Sequence, residues 1–248
     1  AISGFPWVII GSALSLWLKD FGLSRSTIGW AGLIFSVYAI NFLWAPLIDR
    51  IRIPFLTNKF GHRKSWILTL QLVIFISLII WSLLNPFTNL EIIIFIGLII
   101  AISSASQDIT IDALRIEQIN EDERASMAAG ASMAVAGWWT GYKIGGMITL
   151  FIADYFQSFG YDNFWQITFI FICLIIIFLN IGLLFIPEDK TNKRYEAQSR
   201  DQSSLAMNNF IGWLTSTVIS PLISFFKKNG IQISLLIIGF IFFVVIAS

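Results

Sequence analysis

The chain has 248 residues, of which 56% are hydrophobic and only 12% charged, with a formal net charge of +1. A soluble domain carries about 25% charged residues, so the supply for a wetted surface is half the usual one. With a mean hydropathy of +0.78, this excludes a soluble fold and points to an all-α polytopic membrane protein.

A helix needs ~20 apolar residues to cross the hydrocarbon of a bilayer. Runs of that order fall at residues 1–18, 27–48, 65–84, 91–113, 125–153, 164–186 and 231–248. Helices are expected in all seven, because a lipid-exposed backbone must satisfy its own hydrogen bonds. A β-barrel would alternate polarity along ~10-residue pieces, whereas residues 70–80 and 170–179 are near-continuously apolar. The first run lacks a basic start and a small-residue cleavage site, so it is not read as a signal peptide. It opens on Ala1 rather than Met, and the last run stops at Ser248, so the reading frame is expected to extend past both ends. Cys173 is the only cysteine and leaves no disulfide. His62 is the only histidine, and no His/Cys cluster has metal-ligand spacing. Neither a metal nor a cofactor is expected.

Orientation follows from where the 16 Lys and Arg residues fall. The 2–3 connection holds Arg50, Arg52, Lys59, Arg63 and Lys64; the 4–5 connection holds Arg115 and Arg124. The 6–7 connection holds Lys190, Lys193, Arg194, Arg200, Lys227 and Lys228. Only Lys19 and Arg25 stand in the 1–2 connection, and Lys143 stands inside a span. By the positive-inside rule the even-numbered connections and the N-terminus face the cytoplasm.

The 6–7 connection has two parts. Residues 187–204 are polar and read as a linker. Residues 205–227 put Phe210, Leu214, Val218, Leu222 and Phe225 on one stripe ending at Lys227 and Lys228, with Pro221 inside it. That is the pattern of an amphipathic helix lying in the interface. A six-helix bundle over 1–186, a cytoplasmic segment over 187–230 and the start of a seventh helix over 231–248 resemble the two-halved plan of a major facilitator superfamily transporter.

The functional candidates lie in three places. Asp49-Arg50 ends the second span, and Gly61-His62-Arg63-Lys64 opens the third. This resembles the superfamily's 2–3 loop signature, in which carboxylate and basic residues gate the cytoplasmic side. A plain basic loop would account for Arg52 and Lys59 but not for Asp49. The fourth span carries Ser104-Ala105-Ser106-Gln107-Asp108 and then Asp112 and Arg115. Asp108 and Asp112 are four apart and share a face. A carboxylate in hydrocarbon normally faces a bundle interior or a wet cavity. Asp112 and Arg115 read as part of an ion-pair network with Asp49, Arg50 and Arg63. Asp108 is either a member of that network or the group that takes up a proton as the cavity closes. Gln107 beside it is counted with the substrate-facing candidates.

The fifth span has Gly137, Gly141 and Gly145 at spacing four, continuing a stripe from Ala125 and Ala129 that permits close packing. Lys143 lies on nearly the opposite face. It either attracts an anionic solute, with Trp138, Trp139 and Tyr142 offering a surface to a sugar ring, or pairs with a carboxylate such as Asp108. Trp7, Trp17, Trp66 and Trp81 read as packing or interface anchors.

Ser3-Gly4-Phe5-Pro6, residues 41–50 and 60–66, Ser104 to Ile109 with Asp112-Ala113, Glu123-Arg124 and the Val218 to Asn229 stretch together resemble the AmpG muropeptide permeases. The resemblance implies proton-driven import of anhydromuropeptides across the bacterial inner membrane. A related branch of that family resembles acetyl-CoA transporters, so another anionic solute is the alternative. That family commonly has Gly-Tyr-Arg in the fifth span, which Gly141-Tyr142-Lys143 matches only with a shift of about one turn. A membrane enzyme would need a reactive cluster and a sensor a soluble output domain; the sequence offers neither.

Overall fold

The fold is described from a computed structural model, which describes residues 4–119, 124–186, 188, 212, 215 and 219–247. Among these the chain is helical, with no strand. Four helical stretches, Arg25–Leu43, His62–Ser82, Leu90–Glu117 and Phe164–Leu184, are by themselves long and apolar enough to cross a bilayer.

The first membrane helix (residues 4–20) runs as Gly4–Val8 and Leu14–Asp20 around a π-helical turn, Ile9–Ala13. The second (residues 25–50) is not one regular span. Ser24 caps it by accepting from the Thr27 N–H at 3.2 Å. It then tightens into 3₁₀ turns at Leu33–Ser36 and Asn41–Leu43 before Ala45–Arg50, where Pro46 sits at the N-terminal turn. Proline removes an N–H donor and blocks the preceding helical turn, so the break falls where Pro46 demands it. A short helix, Leu56–Phe60, crosses the 2–3 connection.

The third helix (His62–Ser82) starts after Gly61, whose φ of +95° favours glycine. The fourth (Pro86–Glu117) is capped by Asn85 and bends at Asn89. It ends four residues beyond the stretch expected from hydropathy, because polar residues continue a helix once it has left hydrocarbon. The fifth is Arg124–Ser158 and the sixth Phe164–Leu184. Ser220–Asn229 carries Lys227 and Lys228 in its last turn, and Gly230 (φ +76°) separates it from the seventh helix, Ile231–Ala247. Apart from Glu188, the linker at 187–204 lies outside the described residues, as do Phe210, Leu214 and Val218 of the amphipathic stripe.

The first helix packs on the fifth, the third on the fourth and sixth, the fifth on the sixth, and the second on the fourth. Lipid is as apolar as leucine, so helices in a bilayer associate by close packing rather than by water exclusion. The small-residue stripe serves that purpose. Gly141, Gly145, Thr149 and Ala153 are buried, and the Phe5 ring lies 2.5 Å from where a Gly145 Cβ would stand. Gly4 approaches the Trp138 carbonyl just as closely. The stripe's proposed beginning is different: Ala125 and Ala129 are exposed and Gly137 lines a cavity, so the buried part of the stripe starts at Gly141. Trp17, Trp81, Trp165 and Phe169 are fully buried and meet with ring centroids 4.9–6.1 Å apart between the first, third and sixth helices. Such aromatic pairs add about 0.5–1.5 kcal/mol each beyond their area. Trp17 and Trp81 are therefore core packing.

Candidate functional site

At the end of the bundle that carries the 2–3 connection, the fold gathers the ends of the second, third and fourth helices around Arg63. Its Nη1 reaches the Asp49 carboxylate at 2.5 Å, at the end of the second helix. Its Nη2 and Nε donate to Glu117 at 2.8 and 3.2 Å, at the end of the fourth. A guanidinium can hold two carboxylates at once because its donors form a planar fork. The Arg63 side chain is 9% exposed. Arg50 closes the last turn of the second helix and is half-buried. His62 Nε2 lies 2.9 Å from the Ile48 carbonyl, and the Trp66 indole donates to the Ile51 carbonyl at 2.8 Å. These contacts fasten the loop back onto the third helix.

The Asp49–Arg63 part of the expected network is present. Its fourth-helix member is Glu117, which the sequence reading missed, and not Asp112. Asp112 bonds instead to Arg115 on its own helix at 3.1 Å, with its side chain 60% exposed. The reason is helix rotation: Glu117 is five residues beyond Asp112, which puts it about 140° further round the axis and toward the third helix.

Asp108 stands nine residues before the end of the fourth helix, about 14 Å at 1.5 Å per residue, and is half-buried. Tyr38 of the second helix lies within electrostatic reach of it, beside Ser104. Asp108 and Asp112 line a cavity of about 610 Å³ together with Trp138, Met133, Gly137, Ile67, Leu183 and other apolar residues of the third to sixth helices. Volumes of 300–1,000 Å³ are usual for small-molecule sites.

The fifth helix collects an aromatic face. Trp138 and Tyr142 stack at 5.6 Å with their planes 16° apart, and Trp139 meets both edge-on. Trp7 of the first helix meets Trp138 at 5.6 Å and Tyr38 at 5.1 Å. Lys143 Nζ sits over the Trp139 ring at 5.5 Å and over Tyr142 at 5.3 Å. The lysine is exposed and forms no ion pair among the described residues, so the alternative of a bridge to Asp108 is not the arrangement found. Ring faces carry negative potential, and a cation over them is stabilised by about 0.5–1 kcal/mol when exposed.

Gln107 lies within the packing of the helices. It is fully buried, and its Oε1 accepts from Gln71 Nε2 at 2.7 Å; Asn180 Nδ2 in turn lies 3.4 Å from Gln71 Oε1. Three helices are thus tied by amides through its Oε1, while its Nε2 has no hydrogen-bond partner among the described residues. Trp44 similarly donates to Ser106 at 2.9 Å. No group of acidic, His or Cys residues among the described ones could hold a metal ion.

The family model of the Major Facilitator Superfamily matches residues 1–248. A transporter named AmpG 4 from Rickettsia felis is 31% identical over 240 residues, covering 96% of this chain and 53% of that protein. A second one from the same organism, named AmpG 1, is 35% identical over 178 residues, 71% of this chain and 40% of its own length. The anhydromuropeptide permease of Escherichia coli K12 is 29% identical over 236 residues, 95% of this chain and 42% of the permease. The chain therefore spans about half the length of the relatives it matches.

Proposed function

The chain belongs to the Major Facilitator Superfamily, and on that premise we propose that it is the N-terminal half of a proton-coupled importer of anhydromuropeptides. Residues 1–186 form its first bundle, 187–230 the cytoplasmic connection and 231–248 the start of the second bundle. The N-terminus faces the cytoplasm of a bacterial cell, and the protein sits in the inner membrane. Alternating access is the rocking of one bundle against the other around a central site.

The observation that carries the reading is the cavity in which two carboxylates of the fourth helix, Asp108 and Asp112, meet an aromatic wall at Trp138. Charge inside a span is costly and marks ion or solute paths. A sugar ring stacks on an indole face, and the exposed cation at Lys143 on the same helix suits an anionic glycopeptide. Asp108 holds its charge while the cavity is wet and takes a proton as water leaves. Arg63, with Asp49 and Glu117, fastens the cytoplasmic ends of the second, third and fourth helices until the bundles rock. The similarity to the anhydromuropeptide permease of Escherichia coli supports the choice of cargo, N-acetylglucosaminyl-anhydro-N-acetylmuramic acid with or without its peptide.

The test is uptake of labelled anhydromuropeptide by cells that lack their own permease and express the full-length protein. Accumulation that an uncoupler abolishes is the expected result. Correct membrane insertion without uptake would remove the reading.

A further inference from the structure

Glu188 stands in the polar stretch after the sixth helix and reaches the start of the third. Its two carboxylate oxygens accept from the backbone N–H groups of Arg63 and Lys64, each at 2.8 Å. These are donors that the first turn of a helix leaves without intrahelical partners. The contact is possible because residue 61 is glycine: a Cβ there would stand 2.5–2.8 Å from the Glu188 carboxylate.

Lys64 returns the exchange. Its ammonium, buried with the side chain, donates to the Leu184 and Ile186 carbonyls at 3.2 and 2.7 Å, at the end of the sixth helix. Each helix end thus receives the charge that complements its dipole from the other helix. The third and sixth helices are joined by a reciprocal clamp, and the residue at its centre is Arg63, whose side chain holds Asp49 and Glu117.

We infer that Glu188 is a positioning residue for Arg63, fixing its backbone so that the guanidinium can engage and release its two carboxylates as the gate works. Through it the chain leaving the sixth helix is coupled to that gate. This rests on the importer reading above.

In the full-length protein, Glu188→Ala should lower the maximal uptake rate about tenfold, the rate equivalent of one lost helix cap. The half-saturating concentration should change less than about twofold, since no cargo contact is lost. Glu188→Gln keeps an acceptor but not the charge and should fall between the two. In an Arg63→Ala background, Glu188→Ala should cost nothing further, because its effect runs through Arg63. An equal, multiplicative loss in both backgrounds, or a loss carried by half-saturation, would overturn the assignment. If the wild type takes up no anhydromuropeptide, the importer reading fails on its own. The clamp is then read by amide hydrogen exchange, which should rise about tenfold at residues 63 and 64 in Glu188→Ala; unchanged exchange there would overturn it too.

Discussion

The charged cluster around Arg63 and the aromatic face around Lys143 both place a cation in a membrane protein, and they treat it in opposite ways. Arg63 is buried and held by two carboxylates from two other helices. Lys143 is exposed and, among the described residues, is supported by rings of its own helix. Burying an ion pair costs several kcal/mol in desolvation and is recovered only with excellent geometry. The first arrangement therefore commits its charge to holding helices together. The second keeps its charge available, steadied by π faces that leave the ammonium free to meet an anion. One region is built to hold and the other to receive.

Four measurements would break or sharpen that contrast. The largest effect is expected at Asp108→Asn, which lies between the two regions. Accumulation should fall to the level of uncoupler-treated cells, while downhill equilibration of cargo persists. Retained accumulation would move Asp108 into the structural group. Next is Arg63→Ala, which leaves Asp49 and Glu117 facing each other. A fully buried pair broken on one side costs about 3–5 kcal/mol. The Asp49 side chain is 43% exposed, so a loss of about 2 kcal/mol is expected in thermal unfolding in detergent. Arg63→Lys should recover only part of it, because an ammonium lacks the planar fork.

Lys143→Met should do the reverse. The half-saturating concentration should rise about tenfold, equivalent to about 1.4 kcal/mol, with the unfolding temperature unchanged. A large fall in stability instead would show that Lys143 holds the fold. The smallest effect is expected from Asp112→Asn, about twofold on uptake, because an exposed pair such as the one with Arg115 is worth at most about 1 kcal/mol.

Much of this was legible in the amino-acid sequence. Hydropathy marked where the helices run, and the four-residue spacing of Gly141 and Gly145 announced close packing. The Asp49–Arg63 pair followed from a carboxylate that a plain basic loop does not need. What sequence could not supply was the rotation of one helix against another. Glu117 and Asp112 are both carboxylates near the same helix end, and only the packing of the third helix selects Glu117. Gln107 sits in the most suggestive stretch of the chain, but its direction depends on Gln71, 36 residues away. Glu188 is 125 residues from the Arg63 amide it holds. The breaks in the second helix were hidden for another reason: 3₁₀ turns keep the same apolar composition as a regular helix, so hydropathy averages over them.

The Trp165 indole donates to Asp20 at 2.8 Å across 145 residues of sequence, and Trp17 reaches its buried stack only when Phe169 is present. During synthesis the first helix enters the membrane long before either partner exists. At about 5–20 residues per second the wait is roughly 7–30 s. Over that interval the earliest segment must be sheltered by lipid or by the insertion machinery, and the bundle closes last at the sixth helix. A ribosome stalled before residue 165 would therefore leave an inserted but unfastened protein, which quality-control proteases should recognise.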